Sequence, residues 1–148
     1  MKQRLMFWVV PFFVAVFMFI FFQRFMFVGY VPSASMEPAI KKGSYILGVR
    51  KPASLKPGDI VVFIKDGEYL VKRIAAVPDQ IIAINDSKPK PAAISLDKCH
   101  LEETRTFTVP PDRYFMLGDN RSQSDDSRFW DEPFIAKDQI IAKFLFGF

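Results

Sequence analysis

The chain contains a single histidine, His100, and a single cysteine, Cys99, so reactive chemistry must come from serines, lysines and carboxylates. Metal sites built from several Cys and His ligands are excluded, no carboxylate cluster has metal-ligand spacing, and one cysteine cannot form an intramolecular disulfide. Two serines, Ser33 and Ser35, lie in Pro32-Ser33-Ala34-Ser35-Met36-Glu37-Pro38. On its own such a stretch is ordinary turn material. A serine hydroxyl attacks a carbonyl only when a base removes its proton. His100 sits in a polar, loop-like stretch between Lys98 and Glu102, a poor setting for a Ser-His-Asp triad. The remaining candidate base is a lysine whose pKa has been lowered by burial.

Lys72 has the right setting. Along residues 68–77 the strand period of two puts Leu70, Lys72, Ile74 and Ala76 on one face and Tyr69, Val71, Arg73 and Ala75 on the other. An ammonium among aliphatic neighbours is disfavoured and titrates below its usual value of about 10.4. The pattern is equally compatible with a lysine whose stem crosses the sheet face and whose head reaches water. A third polar cluster, running from Gly118-Asp119-Asn120-Arg121 to Ser124-Asp125-Asp126-Ser127-Arg128, follows an apolar strand and by itself reads as a surface turn.

The elements that must position these groups are β-strands. Short apolar runs broken by Pro, Gly and Asp predict strands at 45–50, 59–65, 68–77, 80–85, 105–109, 114–117 and 139–146. Asp66-Gly67 between two of them predicts a hairpin turn, since glycine accepts the positive φ that a two-residue turn requires. Residues 86–104, with Lys88-Pro89-Lys90-Pro91, read as an exposed excursion without chemistry.

Ahead of this body stands Leu5 to Phe22, 18 consecutive apolar residues. Such a run nearly crosses a hydrocarbon layer of about 30 Å, and Phe25 to Val28 are expected to extend it past Arg24. It is too long for a cleaved signal's apolar region, and no small-residue cleavage site follows it. Residues 1–28 are therefore expected to be a membrane anchor and residues 29–148 a β-rich body. Lys2 and Arg4 ahead of the run, against Arg24 alone behind it, place the N-terminus in the cytoplasm and the body outside. Although the chain carries a formal charge of +4, three of its 20 basic residues belong to the anchor region, and the rest balance its 16 acidic residues to within one charge. That is no nucleic-acid footprint.

The three polar segments, in this order and with these motifs, resemble the type I signal peptidases. The loop around Ser35 is similar to the family's nucleophile box, Tyr69-Leu70-Val71-Lys72-Arg73 to its lysine box, and Gly118-Asp119-Asn120-Arg121 to its third box. The likeness also takes in Lys56-Pro57-Gly58-Asp59 and runs from about Tyr30 to Trp130. It implies a mainly β catalytic domain on one N-terminal transmembrane helix, and a serine endopeptidase that removes signal peptides at the outer face of a bacterial cytoplasmic membrane. Ser35 would be the nucleophile, Lys72 its base and Ser33 an oxyanion donor. Ser124 would orient the lysine, and Asp126 with Arg128 would form a supporting ion pair. No cofactor or metal is implied. The implied partners are secretory preproteins, membrane lipid and Sec-type export machinery. Asp79-Gln80 stands where the family usually has Gly-Asp, Ala39 where Thr is common, and Asp131 where Gly often follows the aromatic residue. Alternatives are a specialised peptidase for one exported protein such as a pilin, a catalytically silent membrane-tethered binding module, and a self-cleaving regulator of Ser/Lys type. The anchor and the lack of a basic module disfavour the last.

Overall fold

The computed structural model describes residues 2–85 and 104–148. Helix α1, Lys2–Phe25, is apolar on every side from Trp8 to Phe22 and turns no polar face to water there. Its segment Trp8–Phe25 has a mean hydropathy of 1.9 and buries nothing against the rest of the protein. At about 1.5 Å per residue this segment is close to the thickness of a hydrocarbon layer. The expected continuation through Val28 does not form. Strand β1, Met26–Tyr30, starts directly after the helix and pairs residue by residue with β2, Tyr45–Arg50. Phe27 thereby packs against the core.

The other strands are β3 (Ile60–Lys65), β4 (Glu68–Ala76), β5 (Ile81–Asn85), β6 (Thr104–Thr108), β7 (Arg113–Leu117), β8 (Phe134–Ala136) and β9 (Ile140–Gly147). All seven expected strands are present with ends shifted by no more than one residue, and β1 and β8 are additional. Thr104, expected in the excursion, opens β6; residues 86–103, with Cys99 and His100, lie outside the described residues. Seven strands form one antiparallel sheet in the order β1-β2-β9-β3-β4-β7-β8, and β5 pairs with β6 in a separate ribbon.

The unbroken apolar run Ile60-Val61-Val62-Phe63 explains why β3 sits centrally, since both its faces are buried. Ile60 and Val62 pack with Met36, Ile40 and Ile46, whereas Val61 and Phe63 pack with Ile74, Met116 and Ile135. The β3–β4 turn is the expected one, with Lys65 opposite Glu68 and positive φ angles at Asp66 (53°) and Gly67 (83°). Asp79, where the family usually has glycine, takes a left-handed φ of 64°. Aspartate tolerates that conformation better than most side chains, and the turn is closed by the Gln80 side chain, which accepts the Val77 N–H at 3.1 Å.

Candidate active site

Three segments far apart in the chain meet at one wall. The first is the loop after β1. Its Met36 is completely buried among Ile40, Ile46 and Val62, which pins the loop and leaves the adjacent Ser35 at the edge of a cleft. The Ser35 and Ser33 hydroxyls share a hydrogen bond of 3.2 Å, and both residues line the cleft.

The second segment is β4. Its inward face carries Lys72, only 4 % exposed, between Leu70 and Ile74, as the strand period requires. Lys72 Nζ donates to Ser124 Oγ at 3.0 Å. Burial pulls the lysine pKa below its ordinary value; Asp126 and Asp125 oppose this and Arg128 adds to it. On the other face Arg73 donates to the Asp119 carboxylate at 2.7 Å and to the Gly58 carbonyl, tying this strand to the third segment.

The third segment runs from β7 to Arg128. Asp126 is fully buried and its carboxylate accepts from Ser124 Oγ at 2.6 Å, from Gly118 N at 2.9 Å and from Arg128 Nε at 2.7 Å. Burial alone would raise the Asp126 pKa, but the Arg128, Gly118 and Ser124 hydrogen bonds prevail and hold it below the usual carboxylate value. Ser127 braces the segment by accepting the Met116 N–H at 2.8 Å. Asn120 holds the loop after β1, donating its backbone N–H to Ser35 O at 3.0 Å and its amide to Ala34 O at 3.2 Å. Gly118 allows the loops to meet. A Cβ there would lie 2.1 Å from Ser124 Oγ and 2.7 Å from Ser35 O.

Two clefts join at Ser33, Ser35 and Lys72. One, of about 560 Å³, runs between β1 and the start of β4 past Val28, Tyr30, Tyr69 and Leu70. The other, of about 390 Å³, is more polar and leads past Gln123, Asp125 and Trp130. A bound chain can thus lie on both sides of the Ser35 hydroxyl. Among the described residues no His, Cys, Asp and Glu group capable of holding a metal is found.

The family model for signal peptidase, peptidase S26, matches residues 5–148. The chain belongs to that family. Signal peptidase IB of Staphylococcus aureus is 30% identical over 178 aligned positions, covering 100% of this chain and 91% of the relative. Signal peptidase I of Bacillus amyloliquefaciens is 30% identical over 146, covering 86% and 79%. The probable signal peptidase I-1 of Synechocystis is 29% identical over 137, covering 80% and 69%. The chain is thus a signal-peptide-removing serine peptidase, which disfavours the silent module.

All six residues picked out from the sequence, Ser33, Ser35, Lys72, Ser124, Asp126 and Arg128, gather at this wall. Sequence reasoning gave no role to Gly118, Asn120 or Asp119, although all three stand in the third box of this signal peptidase. Its dense polarity after an apolar strand was the available signal. Their partners, Ser35, Ala34 and Arg73, are distant in sequence.

Proposed function

We propose that this signal peptidase cuts with a Ser35–Lys72 dyad. The observation that carries the reading is the buried Lys72 amine, held by Ser124 at 3.0 Å on the wall it shares with Ser35. Ser124 spends its own proton on Asp126, so it can only accept from Lys72. A neutral amine has one lone pair, and Ser124 leaves that lone pair free for the Ser35 proton. Ser35 Oγ then attacks the scissile carbonyl while Lys72 takes its proton. The oxyanion is met by the Ser35 backbone N–H and the Ser33 hydroxyl, which swings from its resting bond to Ser35. Lys72 returns the proton to the leaving amine, and then activates the water that splits the acyl ester.

Among the described residues β1 is an edge strand and β4 pairs with β7 only from Arg73 onward, so both rims of the larger cleft present backbone groups without a strand partner there. An extended segment can add there as a strand, with small side chains at positions −1 and −3 pointing into shallow apolar pockets. The anchor brings the site to the bilayer where preproteins delivered by Sec-type export emerge. Lys2 and Arg4 favour a cytoplasmic N-terminus and an outside body, with α1 serving as anchor and the peptidase unit beginning at β1 rather than at residue 29.

The test uses the full chain in detergent with a labelled precursor, mapping the cut by mass spectrometry. Ser35→Ala, Lys72→Ala and Lys72→Arg should each remain folded and bind precursor but scarcely cut, because a guanidinium keeps its proton at any usable pH. The parent kcat/KM should rise with pH through the lowered lysine pKa. Near-normal cleavage by Lys72→Arg sinks the dyad.

A further inference from the structure

Where α1 gives way to β1, a cavity of about 460 Å³ opens between the helix end and the body. It shares no lining residue with the two clefts at Ser35. Four cations line it, Arg24, Arg50, Lys51 and Lys137, against one carboxylate, Asp138. Among the described residues none of the four cations makes a salt bridge. Arg50 is fixed at the junction, donating to the Met26 carbonyl at 2.8 Å and standing 5.4 Å over the Phe27 ring. The rest of the wall is apolar, with Pro52, Leu55, Ile140 and Ile141.

Like charges around one cavity repel unless an anion sits among them. The position specifies which anion. The apolar span ends at Phe25, so the cavity lies where hydrocarbon meets headgroups. Phe21, Phe22 and Phe25, each 43–50% exposed, offer the adjoining helix surface to acyl chains. We propose that this cavity binds the phosphate headgroup of an anionic phospholipid, with its glycerol against the apolar wall and its chains along α1. The inference rests on the reading of α1 as a membrane span.

The experiment titrates the full chain in neutral detergent with phosphatidylglycerol or phosphatidylcholine and counts retained lipid by native mass spectrometry. One phosphatidylglycerol should bind at least tenfold more tightly than phosphatidylcholine. Each cation near the surface contributes about fivefold to such binding, so Arg24→Gln/Lys51→Gln/Lys137→Gln should weaken it by about a hundredfold. Precursor cleavage in detergent should be unchanged in this variant, which shows that it folds. Inorganic phosphate should not displace the lipid at comparable concentration. Equal affinity for the two lipids, full retention by the triple variant, or displacement by equimolar phosphate each overturns the proposal. Alkaline carbonate extraction from vesicles separates the two failures. A chain released by carbonate refutes the span and the site with it, whereas a chain that stays embedded without preferring phosphatidylglycerol refutes the site alone.

Discussion

Adding one methyl group at Gly118 should disable the peptidase without unfolding it. Gly118 does not have a left-handed φ, so alanine meets no backbone penalty there and the effect is purely one of space. The new Cβ would lie 2.1 Å from Ser124 Oγ, 2.4 Å from Ser124 Cβ and 2.7 Å from Ser35 O, whereas ordinary contact begins at 3.4 Å. Ser124 must retreat by more than about 1 Å, or the Ser35 loop must lift. Either movement breaks the register between Lys72, Ser124 and Ser35, and a misplacement of that size costs about a hundredfold in rate. Overpacking costs about 1–3 kcal/mol, within the ~5–15 kcal/mol that usually holds a domain. Gly118→Ala should therefore give a normal circular dichroism spectrum, a lowered melting temperature and a kcat reduced about a hundredfold on a labelled precursor. A kcat within threefold of the parent would show that the close approach of these loops is not needed for catalysis.

If Ser33 is the proposed oxyanion donor, Ser33→Ala should lower kcat by about a hundredfold to a thousandfold in initial-rate measurements, since one donor goes and the backbone donor stays. Asp126→Asn removes one member of a buried ion pair and should cost about 3–5 kcal/mol, read as a melting point lower by roughly 10–20 °C. Because the folded Asp126 pKa is lowered, its stabilising contribution is present above the unfolded value of 3.8 and lost as pH falls through the folded one; the Asn variant should lose this acid-sensitive limb. Arg128→Met removes the cation that helps lower the Lys72 pKa, so the pH–rate profile should move to higher pH, a shift that a purely structural role for Arg128 would not produce.

The strands were legible because their periodicity is local. Leu70, Lys72, Ile74 and Ala76 alternate strictly, and Asp66-Gly67 announces its own turn. β1 was hidden because Phe25-Met26-Phe27-Val28 resumes the apolar run past Arg24 with no Gly or Pro to mark a break; only pairing with β2 decides that it is a strand. β8 is three residues long, too short for a period to show. Strand alternation placed Lys72 among aliphatic side chains but left open whether its head reached water. The structure resolves this by closing the third segment over it, with Ser124 as the lid. Asn120 and Gly118 were visible as members of a polar cluster, yet what they do depends on Ala34 and Ser35, the former 86 positions from Asn120.

The site solves an electrostatic conflict. A base made from lysine needs burial, but burying it beside a carboxylate invites a salt bridge that would keep it protonated. Asp126 is such a carboxylate, fully buried and close enough to raise the Lys72 pKa. Its hydrogen-bonding capacity is taken up by Arg128, Gly118 N and Ser124, so the lysine meets it only through the Ser124 hydroxyl. Ser124 is thereby a spacer: it links the amine to the carboxylate through hydrogen bonds without passing on the full negative charge. Desolvation then outweighs the remaining pull of Asp126 and Asp125, and the lysine pKa falls. The same balance has a cost in stability. Between the lowered folded pKa and the unfolded value of 10.5, the unfolded chain binds a proton that the folded one does not, so this group's penalty eases as pH rises through that window and is full below it. Under the proposed Ser35–Lys72 dyad, folding and catalysis thus respond to alkali in the same direction through Lys72, because desolvation rather than a neighbouring histidine makes the serine reactive.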